Sequence, residues 1–284
     1  MGDEKVKSIQ LASGYEIPRL GLGTWELVGE DCSKAVAQAI ELGYRHIDTA
    51  FAYRNHREVA AGIAQSQIAR EELFITTKIP FGSQKPQQVR KFAVRMQDDL
   101  ATDYVDLLLI HWPDRKPGFS ETLAAMNELV DEGLVRSVGI SNFNSQIMAQ
   151  AKVVSEKPIV TNQVEFHPYL YQRDLLEKCR KEGIVLTAYS PLARGKVFSD
   201  NRLQSLAETA GISVASVVIA WLLQKGLVVI PKATSLKHLQ DNLAAEQLEL
   251  PSGLLEEIDS FPEFDRIING SFKHYPFDEE MQEQ

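Results

Sequence analysis

Cysteine is almost missing from this chain of 284 residues. The two present, Cys32 and Cys179, fall in stretches that read as helices, at a number and spacing that suit neither a disulfide framework nor a metal site. A reducing cytoplasm is the expected compartment. Basic tracts are missing too: against 30 Lys and Arg stand 39 Asp and Glu, a net charge of −9, so a nucleic-acid backbone would be repelled. No apolar run reaches the length that spans a bilayer. The opening Met-Gly-Asp-Glu-Lys-Val-Lys holds neither an apolar signal region nor, at its sixth position, the Ser or Thr of a myristoylation motif. The expected protein is soluble and unprocessed, with no nucleic-acid or membrane partner.

The fingerprints of two rival folds are absent as well. Gly21-Leu22-Gly23-Thr24-Trp25-Glu26 begins as a dinucleotide-binding Gly-x-Gly but has Glu26 where the third glycine belongs, and reads as a tight turn after a strand. No tyrosine is followed by a lysine four residues later, which a short-chain dehydrogenase would need. There is no low-complexity linker at which a domain boundary could fall. One domain over residues 1–284 is expected.

What the chain does have is a rhythm. After a small hairpin (Ser8 to Leu11, Glu16 to Leu20), helix candidates at 30–42, 56–66, 86–101, 119–132, 145–155, 171–182 and 235–247 carry apolar residues at three- and four-residue spacing. Short apolar runs separate them: Leu20 to Gly23, Arg45 to Asp48, Leu73 to Lys78, Tyr104 to His111, Val135 to Ile140, Val160 to Val164, Ile184 to Tyr189 and Val228 to Ile230. Most lack period-two alternation, as in Val105-Asp106-Leu107-Leu108-Leu109-Ile110, which is the mark of parallel strands buried on both faces. With 44% hydrophobic residues, the chain matches an α/β fold, a (β/α)8 TIM barrel with an N-terminal β-hairpin closing its bottom.

A barrel gathers all its strand ends at one mouth. Those ends carry Thr24 and Trp25, Asp48 and then Tyr53, Lys78, His111-Trp112, Ser141-Asn142, Asn162-Gln163, Tyr189-Ser190, and Pro231-Lys232. Each has an ordinary explanation: a capping Asp, a half-buried Tyr, a snorkelling Lys, a satisfied core His. Polar residues at nearly every strand end are more than packing requires. With no His, Cys or carboxylate cluster at metal-ligand spacing, the set suits proton transfer without a metal. Tyr53 is the natural acid. A lysine ammonium about 4 Å away could contribute roughly 4 kcal/mol at an effective dielectric of 20, so Lys78 is expected to lower the phenol's pKa. Asp48 would keep Lys78 charged, and His111 would hold the substrate oxygen or help pass a proton. Trp25 and Trp112 would exclude water and present flat surfaces to a substrate.

The chain resembles the aldo-keto reductases. Gly43-Tyr44-Arg45-His46-Ile47-Asp48-Thr49-Ala50 with Tyr53 is similar to the family's first signature, and Arg136-Ser137-Val138-Gly139-Ile140-Ser141-Asn142-Phe143 to its second. Thr77-Lys78 and Ile110-His111-Trp112-Pro113 also match, and the likeness runs from the hairpin to about Leu250. The resemblance implies a nicotinamide-dependent reductase of aldehydes and ketones with a tetrad of Asp48, Tyr53, Lys78 and His111. It implies that Ser141, Asn142 and Gln163 hold the nicotinamide carboxamide, that Tyr189 stacks on its ring, and that Gly23, Thr24, Ser190 and Leu192 belong to the cofactor site.

Four departures from the family pattern stand out. His56 replaces a usual Glu and Ala60 a usual Gly, which should alter the second helix more than the chemistry. In the third signature, Ile230 to Asn242, Ala233 replaces a Ser or Thr and His238 an Arg. Lys232, Thr234, Ser235 and Lys237 could still grip a 2′-phosphate at a helix N-terminus, with Asp241 and Asn242 on the adenine side. Without the Arg fork, NADPH use with measurable NADH activity is expected.

The relatives it resembles reduce 2,5-diketo-D-gluconate and methylglyoxal, so the expected partner is a small-molecule carbonyl substrate and the expected state a monomer. The segment from Trp112 to Phe119 is short, which should leave the mouth open on that side. The tail from Phe264 to Gln284 would fold over the mouth as a substrate loop or be disordered. A sensor or structural protein that kept the barrel and NADP but lost turnover is the alternative, and the intact tetrad disfavours it.

Overall fold

The computed structural model describes residues 6–115, 118–262, 266–268 and 275–278. A two-stranded antiparallel hairpin of β1 (Ser8–Gln10) and β2 (Glu16–Pro18) pairs Ile9 with Ile17. Eight strands then follow, β3 (Leu22–Gly23), β4 (His46–Asp48), β5 (Phe74–Ile79), β6 (Val105–Ile110), β7 (Val135–Ser141), β8 (Ile159–Glu165), β9 (Val185–Tyr189) and β10 (Val228–Val229). They lie in chain order in one sheet, each parallel to the next. Parallel neighbours require a crossover, and helices supply it. These are α1 (Gly29–Leu42), α2 (His56–Ser66), α3 (Pro86–Leu100), α4 (Phe119–Asp131), α5 (Ser145–Val154), α6 (Arg173–Glu182), and α7 (Asn201–Ala210) with α8 (Val214–Gln224); α9 (Leu236–Ala244) and α10 (Ser252–Asp259) follow the last strand. The outer strand segments also meet: Gly21 N–H donates to Val229 O at 2.9 Å, Val229 N–H to Arg19 O at 2.8 Å, and Gly23 N–H to Pro231 O at 3.0 Å.

Side chains alternate between the two faces of each strand, which divides the apolar interior in two. Ile47, Ile75, Leu108, Ile110, Val138 and Ile140 pack with the helices in the larger cluster. Phe74, Leu107, Leu109, Val160 and Val228 form a smaller cluster on the opposite face, into which the hairpin inserts Leu11 and Ile17. Lys78 is four residues from Phe74, and His46 and Asp48 are two apart, so the polar side chains of β4 and β5 continue the smaller cluster's face toward the strands' C-terminal ends.

Two helices fall where the sequence reading expects none, between β9 and β10. In α8 every residue from Ser216 to Leu223 is buried, so it carries no polar stripe and hence no amphipathic period. Short α10 was also unexpected. The first sheet strand is shorter than expected; Leu20 forms only an isolated bridge to Val229. Among the described residues no single helix is long and apolar enough to cross a membrane; α7 and α8 pass that test only as a pair bent by 85°.

His56, one of the departures noted in the sequence, is buried in the first turn of α2, where Nε2 lies 2.9 Å from Thr77 Oγ1 and the ring meets Phe51 edge-on at 4.6 Å. His46 is buried beside Thr76 in the same way, at 3.0 Å. Burial pushes both imidazoles down to about 4, so both are neutral near pH 7.

Gly62 explains the close contact of α1 and α2, since a Cβ there would lie 2.5 Å from Ser33 O and 2.7 Å from Val36 Cβ. Gly62→Ala is therefore expected to lower stability by about 1–3 kcal/mol, measured as a shift in urea midpoint at constant slope. The histidines set a pH window. An unfolded imidazole takes a proton below about 6.5 whereas His46 and His56 resist it until about 4, so the unfolded state binds more protons and stability falls as pH drops through that interval. The loss, at most about 1.4 kcal/mol per pH unit for each histidine, should appear in denaturation midpoints measured from pH 7 to pH 4, and be reduced in His56→Gln.

Candidate active site

The chain enters the site through a tight reversal. Gly43, at φ 112°, ends α1 and gives its N–H to Ala39 and Ile40 carbonyls, a conformation that favours glycine. Three residues on, β4 begins, and it ends at Asp48. A 3₁₀ turn, Phe51–Tyr53, then brings Tyr53 back over the strand end.

At the centre lies Lys78, fully buried on β5. Its ammonium donates to Asp48 Oδ1 at 2.5 Å, to the Thr49 carbonyl at 2.9 Å and to Tyr53 OH at 3.3 Å. An ammonium has three hydrogens, and each has a partner. Asp48 is held in turn: Gln163 Nε2 on β8 donates to its Oδ2 at 2.8 Å, and Thr24 Oγ1 donates to its carbonyl at 2.9 Å. The Tyr53 ring meets Trp25 edge-on at 4.9 Å and His111 at 5.7 Å. The four expected catalytic residues thus lie in one cluster of contacts.

Burial dominates the titration of these groups. It lowers Lys78, with the Asp48 carboxylate opposing, and pushes His111 down to about 3, helped by the Lys78 charge. It also raises Tyr53 well above the ordinary phenol range, with the Asp48 charge adding to the rise. The expected acidification of Tyr53 by Lys78 is therefore overturned: the ammonium is shared with a carboxylate, and desolvation of the phenolate outweighs what remains.

Beside this cluster, Ser141 Oγ donates to the Gln163 carbonyl at 2.7 Å, and Asn142 Nδ2 to the His111 carbonyl at 2.9 Å. Asn142 Oδ1 accepts from Tyr189 OH at 2.8 Å. Asn142 and Ser190 adopt left-handed backbone at φ 61° and 48°. Gln163, expected on the cofactor carboxamide, gives one amide N–H to Asp48. Half-buried Leu192 precedes the 3₁₀ turn Ala193–Ser199. Gly23 has a backbone reason, since a Cβ there would lie 2.6 Å from Ile230 O.

A second cluster surrounds the start of α9. Ser235 caps the helix, accepting from His238 N–H at 3.2 Å, while Lys232, Thr234, Lys237 and His238 are exposed around it. Lys232 Nζ reaches Glu26 Oε2 at 3.3 Å. Asp241 is half-buried, and Asn242 is buried and pairs with the Tyr44 hydroxyl.

Trp25 is 42% exposed at the rim, whereas Trp112 is buried against Phe277 at 6.2 Å. Tyr275 lies beneath Arg115, 5.2 Å from the ring centroid, and edge-on to Phe119. The side expected to be open is therefore lined by tail residues; Phe264, Phe272 and His274 lie outside the described residues. Two buried groups escaped the sequence reading. Asn55 donates to the Thr24 and Leu27 carbonyls at 2.8 and 3.0 Å and accepts from Thr49 Oγ1, fixing the loop that carries Trp25. Glu165 ends β8 two residues past Gln163. Only position marked them: the one lies just after Tyr53, the other at a strand end.

Comparison with known proteins supplies the family. The model of the aldo/keto reductase family matches residues 19–263. Glyoxal reductase of Bacillus subtilis is 36% identical over 261 residues, covering 92% of this chain and 94% of the relative. Methylglyoxal reductase DkgB of Escherichia coli O157:H7 is 38% identical over 256 residues, covering 89% and 96%. Among solved structures, the Bombyx mori aldo-keto reductase in complex with NADP superposes with a TM-score of 0.88 at 33% identity, covering 96% of this chain and 98% of that one. The chain belongs to the aldo/keto reductase family, oxidoreductases that act on carbonyl compounds.

Proposed function

We propose that this chain reduces small aldehydes and ketones to alcohols with NADPH, and NADH to a lesser degree, Tyr53 donating the proton. The observation that carries the reading is the fully buried Lys78 ammonium, whose hydrogens go to Asp48, the Thr49 carbonyl and the Tyr53 hydroxyl. In this reading the sheet closes into a (β/α)8 barrel over residues 1–284, supported by the hydrogen bonds between the segments around Leu20 and Val229.

The residues fit a nicotinamide dinucleotide. Tyr189 offers a half-buried ring beside the catalytic cluster, and Lys232, Thr234 and Ser235 offer exposed donors at the start of α9, where the helix dipole favours a phosphate. Gly23, Thr24, Ser141, Asn142, Gln163, Ser190 and Leu192 would support the cofactor between them. When bound, the dinucleotide supplies the hydride.

The protein supplies the rest. A phenol with a raised pKa holds its proton at neutral pH and gives it up as negative charge builds on the carbonyl oxygen. Lys78 donates to the phenol oxygen and stabilises the phenolate left behind. Asp48 keeps the lysine charged in its buried site. His111, neutral through the physiological range, can donate one N–H to the substrate oxygen without competing for the proton.

Tyr53→Phe should lower kcat by roughly 10²–10⁴-fold. Oxidation of NADPH and NADH is followed with methylglyoxal, a nitrobenzaldehyde and a keto-sugar acid; unchanged turnover with all three would mean the acid lies elsewhere. His238→Arg should raise the preference for NADPH over NADH about three- to tenfold by restoring a permanently charged fork near the α9 start. Paired KM measurements for the two cofactors check this.

A further inference from the structure

Glu26 follows Trp25 on the turn after β3, and its backbone lies in the left-handed region at φ 62°, which is uncommon for a residue other than glycine. The Leu27 N–H closes that turn on the Thr24 carbonyl at 3.1 Å, and Asn55 Nδ2 donates to the carbonyls of Thr24 and Leu27 at 2.8 and 3.0 Å. The backbone on either side of Glu26 is thus held. Its carboxylate reaches across the seam where the Gly23 N–H meets the Pro231 carbonyl, and there the Lys232 ammonium donates to Oε2 at 3.3 Å.

Lys232 is also one of the donors that the resemblance assigns to a 2′-phosphate, together with Thr234 and Ser235 at the start of α9. One ammonium then faces two anions. The pair with Glu26 is open to water, with 44% of the lysine side chain and 59% of the glutamate side chain exposed, so it adds little to stability and exchanges partners readily. A unit charge about 4 Å away in water still alters an ionic equilibrium by roughly fivefold. Glu26 has no contact with Tyr53 or Lys78, which leaves the proton chemistry untouched by this pair.

We propose that Glu26 is a specificity-determining residue that competes with the 2′-phosphate of the cofactor for Lys232, and so narrows the preference for NADPH over NADH. The inference rests on the nicotinamide-dependent reading, with Lys232 in the phosphate site. Binding of NADH can leave the Glu26–Lys232 pair closed. The 2′-phosphate of NADPH has either to draw Lys232 away from Glu26 or to lie beside a carboxylate, and both lower its affinity.

The test measures dissociation constants for NADPH and NADH by quenching of tryptophan fluorescence, in the full-length parent, Glu26→Gln, Lys232→Met and the double variant. We expect Glu26→Gln to tighten NADPH by about three- to tenfold and to change NADH by less than about twofold. In the Lys232→Met background the same substitution should change NADPH by less than about twofold, because the competition has lost its object. The urea midpoint of Glu26→Gln should match the parent's, since the pair is exposed. An NADPH affinity unmoved by Glu26→Gln, an equal gain for both cofactors, or a gain that persists without Lys232 would overturn the proposal. A parent that binds neither dinucleotide overturns the cofactor reading and this proposal with it; a parent that binds both, with no response to Glu26→Gln, overturns the proposal alone.

Discussion

A cation and an anion sealed from water hold this site together, and most of its other features follow from what that pair requires. Removing an ammonium and a carboxylate from solvent costs several kcal/mol for each, a cost offset only by good geometry and further hydrogen bonds. Each Lys78 hydrogen and each Asp48 carboxylate oxygen has a partner here, and the pair with Gln163 draws on three strands, β4, β5 and β8. Loss of either partner would leave the other stranded, at about 3–5 kcal/mol. The pair is thus a constraint on the fold.

Rigidity spreads outward from it. Asp48 receives Gln163 from the far side of the sheet and Thr24 from the preceding strand end, and Asn55 ties the Thr24 loop back to Thr49. Trp25 is thereby carried to the edge of Tyr53 on a short loop with backbone hydrogen bonds of its own. On the opposite rim, Ser141, Asn142 and Tyr189 form a second polar run that holds the His111 carbonyl. The polar side chains of these two runs hold one another in fixed positions.

The sequence made much of this legible for physical reasons. Parallel strands buried on both faces stand out as unbroken apolar runs, and Gly43 marks the end of α1 because the turn there needs a positive φ. Asp48, Tyr53, Lys78 and His111 could be found from their places at strand ends. Helix α8 could not be found by periodicity, since it is apolar all round. Titration could not be read either: a distance between Lys78 and Tyr53 says nothing of how deeply the phenol is desolvated or how the lysine's charge is shared. Asn55 and Glu165 hold backbone groups rather than ligands, and such partners come from chain folded back from elsewhere.

An ammonium whose hydrogens are already committed has no free valence to offer a guest. Lys78 therefore cannot grasp a visiting molecule; its charge is felt only as polarisation of the Tyr53 hydroxyl. A dissolved carboxylate therefore gains no direct ion pair with this ammonium.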